Sequence, residues 1–293
     1  QLDLLGHALG QVADLAFGGT LGSGAYDMSQ AYDAMELGVN MYLAKSGIIP
    51  SQIENVNALA SAMNLIQKKI LDNLPTMVSR SGRKEMYQQF STPPNYSLLA
   101  NWLLGARNGD VVLEPSAGIG GLAVFAKNSG ATVLVNELDP ERVKVLKSMG
   151  FDVVYNENAE QINNILPDDV KPNLVIMNPP FSSTAGRTST NSTKNAIAHI
   201  RQALLRLEDG GRAVMILGKG MADDAPAFRD FWDEIKKHYN VRANIELSGK
   251  DYAKYGTTFG NVMVVIDKTG ATPVVGNRFK RYATITGKYD TLM

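Results

Sequence analysis

Apolar positions recur in two different patterns along this chain, and the change of pattern follows Leu104. Before it the spacing is helical. Residues 1 to about 25 mix apolar positions with Gly6, Gly10, Gly18, Gly19, Gly22 and Gly24, which favours a short helix and then a loop. Tyr32, Met35, Val39 and Tyr42 then mark a helix that Gly47 and Pro50 end. Ser51 and Glu54 form a capping-box pattern, and Ile53, Val56, Leu59, Met63, Ile66 and Ile70 line one face as far as Pro75. These helices form an amphipathic pair predicted to pack on the main domain. A further apolar helix runs from Leu98 to Leu104.

Beyond that point short apolar runs alternate with helical stretches. Strands are predicted at Asp110 to Leu113, Thr132 to Val135, Phe151 to Tyr155, Leu174 to Met177, Ala213 to Leu217, Ala243 to Leu247 and Val262 to Ile266. Between them lie helices from Leu122 to Lys127, from Pro140 with Asp139 as its cap, and from Ala227 to His238. Another helix places Ala196, Ile197, Ile200, Ala203, Leu204 and Leu207 on a buried side, closes at Asp209-Gly210-Gly211, and is read with His199 on an exposed turn. Alternating strands and helices specify an α/β fold with a doubly wound sheet, whose ligands lie at the carboxyl ends of the strands. The expected organisation is a helical extension over 1–85, a main domain over 86–270 and a β-prone tail over 271–293. In that tail Arg278, Lys280 and Arg281 suggest an edge hairpin near nucleic acid.

Composition narrows the chemistry. The 293 residues carry zero formal net charge, so any grip on nucleic acid must come from local patches. The absence of cysteine excludes disulfides, thiolate catalysis and Cys-ligated zinc. His7, His199 and His238 are too far apart in sequence to form a metal-ligand pattern, and no metal is expected. No uninterrupted apolar span reaches membrane length, which leaves a cytoplasmic protein without a membrane partner as the expectation. Because the chain begins at Gln1, it is expected to be a processed product or a piece of a larger polypeptide whose other domains are partners.

The candidate chemistry centres on Asn178-Pro179-Pro180-Phe181, where the apolar run Leu174 to Met177 stops. The Asn178 amide oxygen and the Pro179 carbonyl are acceptors that cannot ionise. Converging on one exocyclic amino group, they would draw its lone pair out of conjugation and make the nitrogen nucleophilic. Phe181 either stacks on the flat base that bears this group or plugs the core. Upstream, Glu114-Pro115-Ser116-Ala117-Gly118-Ile119-Gly120-Gly121 is a tight loop that opens a helix, with glycines that let a ligand approach the backbone. Gly118, Gly120 and Ala123 also satisfy a dinucleotide fingerprint, with Glu137 near the distance expected of its ribose acid, so a nicotinamide oxidoreductase is a competing reading. Asp139 fits the role of helix cap better than that of ligand. A basic turn, Arg80 to Lys84, is a solvated linker or a phosphate contact.

Together these motifs resemble the S-adenosylmethionine-dependent amino-methyltransferases, in the gamma order of the N6-adenine DNA enzymes, over about Gln89 to Asp267. The resemblance implies a Rossmann-like methyltransferase sheet, mostly parallel with an antiparallel last strand. It implies that Phe90, Thr92 and Pro93 close over the cofactor, and that Glu114, Pro115, Ser116, Gly118 and Gly120 hold its methionine end. It further implies that Glu137 takes the ribose diol, and that Asn158 stands where relatives carry an aspartate for the adenine amino group. Asn178, Pro179, Pro180 and Phe181 would then be catalytic. Tyr255 and Phe259 line the target-base pocket or pack in the core, and Arg187 and Lys194 in the polar loop after Phe181 meet the substrate or belong to a surface connection. The phrase from Asp251 to Phe259 is similar to methylase domains of large phage and plasmid proteins linked to anti-restriction. DNA is the implied partner. The same fold acting on RNA or on a protein glutamine, and a non-catalytic nucleic-acid-binding component of a phage-like assembly, are the alternatives.

Overall fold

The computed structural model describes residues 2–77, 91–180, 190–223, 225–256, 258, 260–275, 278–279 and 284–285. The basic turn Arg80 to Lys84, Phe90, Phe181, Arg187, Phe259, Lys280 and Arg281 lie outside the described residues.

Helices α1 (Leu2–Phe17), α2 (Met28–Ala44) and α3 (Val56–Lys69) precede α4 (Pro94–Leu104). The Ser51/Glu54 capping box does not form: Pro50 starts a short 3-10 turn, and Asn55 caps α3 by accepting from the Ala58 amide at 3.0 Å. The buried face of α2 also differs from the predicted one. Tyr42 is exposed, whereas Tyr32, Asp33, Glu36, Asn40 and Leu43 are buried. That face therefore carries polar groups inward, which an apolar-periodicity reading overlooks.

From β1 (Val111–Glu114) onward the chain alternates through α5 (Val124–Asn128), β2 (Thr132–Asn136), α6 (Pro140–Ser148), β3 (Val153–Tyr155), α7 (Ile162–Ile165) and β4 (Leu174–Met177). It continues through α8 (Thr190–Arg206), β5 (Arg212–Gly218), α9 (Arg229–His238), β6 (Asn240–Leu247) and β7 (Asn261–Asp267). Three two-residue strands follow: β8 (Val274–Val275), β9 (Arg278–Phe279) and β10 (Thr284–Ile285). Asp139 caps α6 as predicted, its carboxylate accepting from the Glu141 amide at 2.9 Å with Pro140 at the first helical position.

The sheet order is β10-β6-β7-β5-β4-β1-β2-β3, and β7 runs antiparallel to both β5 and β6. Period-2 alternation divides the strand residues between two cores. Val112, Val133, Ile176, Val214 and Met263 meet α3, α4 and α5 on one face, while Leu113, Leu134, Val175, Met215 and Val264 meet α8 and α9 on the other. In the tail β8 and β9 form a small antiparallel ladder, and β10 pairs with β6 in parallel.

The topology places the site. Strand β1 pairs with β2 on one side and β4 on the other, so the strand order reverses there and a crevice opens beyond the carboxyl ends of β1 and β4. Glu114 ends one of those strands, and Asn178 follows the other.

Candidate active site

A cavity of about 230 Å³ occupies that crevice. Its wall holds Thr92, Glu114, Pro115, Ser116, Gly118, Glu137, Asn158, Asn178, Pro179, Pro180 and Tyr255, all of them candidate site residues of the sequence. Pro93, Gly120 and Lys194 are not among the wall residues, although Asn195, next to the exposed Lys194 on α8, is.

The loop after β1 is held from three sides. From α2, Asn40 donates to the Ile119 carbonyl at 3.0 Å, and from α4, Ser97 donates to the Gly121 carbonyl at 2.7 Å and Asn101 to that of Leu122 at 2.8 Å. The third side is Asn136, 1% exposed, whose amide donates to the carbonyls of Pro115 and Glu157 at 2.9 Å and accepts from the Glu157 amide at 2.9 Å. One side chain thus clamps the loops after β1 and β3 together. The two glycines of this loop have different reasons. Gly118 has φ +57°, lines the cavity and donates its amide to Glu137 at 2.8 Å. Gly120 has φ +80°, and a Cβ there would lie 2.6 Å from the Phe151 ring, so close packing rather than ligand approach requires glycine.

Asn178 donates its amide hydrogen to the Thr92 hydroxyl at 3.0 Å, tying the end of β4 to the segment that leads into α4. The adjacent Ser91 hydroxyl donates to the Glu36 carboxylate. Helix α2 is therefore part of the cavity wall through Glu36, Val39 and Asn40, which sequence reasoning did not assign to the site. Behind them a buried ion pair joins Arg142 to Asp33 at 3.2 Å. Burial alone would lower the Arg142 pKa, but the Asp33, Glu36 and Glu137 carboxylates raise it instead.

Both key glutamates are buried. Burial, reinforced by the Glu137 charge, holds the Glu114 carboxyl well above the usual carboxylate range. Its Oε2 has no hydrogen-bond partner among the described residues. A buried acceptor of this kind on a cavity wall suits a ligand ammonium. Burial also raises Glu137, opposed by the Asp139 and Gly118 amides and by Arg142. Those amides grip the carboxylate from both sides and fix its direction. Asn158 accepts from the Glu160 amide at 2.9 Å, a local turn at the cavity edge. Tyr255 packs with Tyr32, Leu71 and Met77 and also borders the cavity.

His199 corrects the sequence reading. It is 7% exposed, lines the cavity, and places Nδ1 3.1 Å from the Ser116 hydroxyl. The reason was present in the pattern: position 199 lies on the same helical stripe as Ala196, Ile200 and Ala203. Burial lowers its pKa to about 4. Because the unfolded chain takes up this proton near pH 6.5 and the native state does not, His199 supports stability above that pH and loses it as pH falls toward 4. The difference amounts to about 3 kcal/mol. Urea unfolding at pH 7.5 and 4.5 should show His199→Gln losing less stability on acidification than the parent chain; equal losses would refute the assignment.

Among the described residues there is no group of three His, Cys, Asp or Glu side chains placed to hold a metal, and no helix long and apolar enough to cross a membrane.

This sheet, mostly parallel with β7 antiparallel, and its flanking helices form a Rossmann-like α/β fold that solved methyltransferase structures share. A modification subunit of a putative type I restriction enzyme from Vibrio vulnificus superposes with a TM-score of 0.50 at 16% identity, covering 78% of this chain and 55% of that one. A chain from a structure of the type I R-M system gives 0.51 at 17% identity, covering 75% and 50%. A putative class I S-adenosylmethionine-dependent methyltransferase from Listeria monocytogenes gives 0.46 at 11% identity, covering 83% and 76%. This chain spans about half the length of the two type I structures. No protein-family model and no curated protein matches the sequence.

Proposed function

We propose that this chain is a methyltransferase that transfers a methyl group from S-adenosylmethionine to the N6 amino group of adenine in DNA. The observation that carries the reading is the placement of Asn178-Pro179 at the carboxyl end of β4, in one cavity with Glu114 and Glu137. The orphaned Glu114 oxygen and the fixed Glu137 carboxylate fit the ammonium and the ribose diol of that cofactor, and Asn158 the edge of its adenine.

When bound, S-adenosylmethionine supplies a methyl group on a positively charged sulfur. The chain's residues then have two tasks, and solvent a third. Thr92 orients the Asn178 amide; Asn178 and the Pro179 carbonyl accept the two hydrogens of the target amino group; and water removes the proton afterwards. A target adenine must leave its stack to reach this clamp, at a cost of about a few kcal/mol that a mismatch or single strand reduces. DNA as substrate is supported by the type I modification subunit, which shares the fold. The gamma order of motifs and the likeness to anti-restriction methylases of phage and plasmid proteins belong to the same proposal.

S-adenosylhomocysteine at about a hundredfold excess over its Kd should add about 2.7 kcal/mol of stability, whereas NAD should add none. Glu137→Ala should abolish the gain. Stabilisation by NAD instead would restore the oxidoreductase reading. Mass spectrometry of nucleosides and peptides after incubation with labelled cofactor should show N6-methyladenine in DNA, and label confined to RNA or to a glutamine would overturn the substrate.

A further inference from the structure

His199 is a polar ring on an apolar helix face. Its neighbours on the α8 stripe, Ala196, Ile200 and Ala203, are fully buried, and among the described residues its one hydrogen bond is with the Ser116 hydroxyl, 3.1 Å from Nδ1. Both residues border the cavity. The backbone on either side of Ser116 is pinned by a single residue: Asn136 donates its side-chain amide to the Pro115 carbonyl at 2.9 Å, and its own carbonyl accepts from the Ala117 amide at 2.8 Å. Helix α8 is anchored as well, by Gln202 accepting from the Asn163 amide at 3.0 Å and by Arg206 donating to the Val170 carbonyl at 2.9 Å. With loop and helix both held, rotation of the Ser116 hydroxyl is the freedom that remains, and the bond to His199 removes it. Burying an imidazole for one such bond carries a desolvation cost that an apolar side chain at this position would not.

Resting on the methyltransferase reading above, we infer that His199 is a positioning residue that aims the Ser116 hydroxyl at the amino-acid end of the cofactor. Ser116 follows Glu114 by two residues in one loop, and the orphaned Glu114 oxygen is the group that suits the ammonium of that end. A hydroxyl has one hydrogen and two lone pairs, so with one of these engaged by Nδ1 the others face the ligand in a set direction. A set direction spares the ordering cost that a free rotor adds on binding. Burial keeps the imidazole neutral at pH 7, so the pair is a neutral bond and no proton moves. Helix α8, which follows β4 in the chain, thereby takes part in the cofactor site.

Calorimetric titration of the full chain with S-adenosylhomocysteine, and with methylthioadenosine, which shares its nucleoside and thioether but lacks the amino-acid end, tests the inference. His199→Asn puts an amide atom where Nδ1 stands, whereas His199→Gln puts one where Nε2 stands. Ser116→Ala should weaken S-adenosylhomocysteine about tenfold, His199→Gln about fivefold and His199→Asn less than about twofold. Methylthioadenosine should change less than about twofold in all of them. In the Ser116→Ala background His199→Gln should add no further loss. Unchanged binding of S-adenosylhomocysteine by Ser116→Ala, which leaves α8 intact, overturns the inference without any change at position 199. It is also overturned if both ligands weaken equally, if His199→Gln binds as the parent does, if His199→Asn binds as weakly as Ser116→Ala, or if the losses add in the double variant. His199 would then serve the fold, or the ligand through Nε2. A parent chain that binds neither compound refutes the methyltransferase reading itself.

Discussion

Asn178→Ala should lower the rate of adenine methylation roughly a hundred- to thousandfold, the usual effect of removing one preorganised polar group from a reacting centre. In the proposed mechanism the side chain accepts from the target amino group, and its bond to Thr92 aims it, so alanine removes the acceptor and its orientation together. Stability should fall by only about 1 kcal/mol, the net worth of one such hydrogen bond. Binding of S-adenosylhomocysteine should change much less than the rate. Asn178→Asp is the informative companion. It keeps an acceptor in place, and the Thr92 hydroxyl can reverse its role and donate, so the aspartate variant should retain more activity than the alanine variant. Single-turnover measurements with saturating cofactor resolve the comparison, and equal rates in Asn178→Ala and the parent chain would remove the clamp from the mechanism.

The parts of the site that were legible in the sequence are those in which one residue type does one local job. A strand that stops at Asn178-Pro179 places an amide at the sheet edge whatever surrounds it, and Asp139 before Pro140 caps a helix by short-range bonding alone. The seven principal strands were readable for the same reason, as apolar runs of strand length with turn residues between them. What escaped was any role that depends on a partner remote in sequence. Asn136 looks like the polar end of a strand, yet it staples two loops. Glu36 looks like the solvent side of an amphipathic helix, yet the face of α2 that turns inward is polar because it borders a cavity rather than a core. His199 has no nucleophile or metal partner near it in sequence, which reads as an exposed turn, yet its stripe on α8 is apolar and its partner Ser116 lies 83 residues away. Gly120 misled in the opposite sense. Its fingerprint spacing suggested ligand approach, but the Phe151 ring dictates the residue.

Glu114→Gln should move stability and binding in opposite directions. A carboxyl whose native pKa is raised above its unfolded value contributes stability that is complete below the unfolded pKa and disappears as pH rises through the native one. At pH 8 the fold therefore holds either a buried charge or a proton taken up against the solution pH, the consequence of burial with the Glu137 charge nearby. Glutamine has the same shape and no charge, so it should raise the melting temperature at pH 8 and have no such benefit at pH 4. Cofactor binding should fall in the same variant, because the ammonium proposed to sit there loses the buried carboxylate at the end of β1. Loss of one partner from a buried charge pair is worth about 2 kcal/mol or more, roughly thirtyfold in Kd. A purely structural glutamate would not behave this way, since its replacement would move stability and affinity together. Melting curves at the two pH values, each with and without S-adenosylhomocysteine, give all four quantities. A Glu114→Gln chain that is less stable at pH 8, or that binds the ligand as tightly as the parent, would exclude Glu114 as the ammonium site.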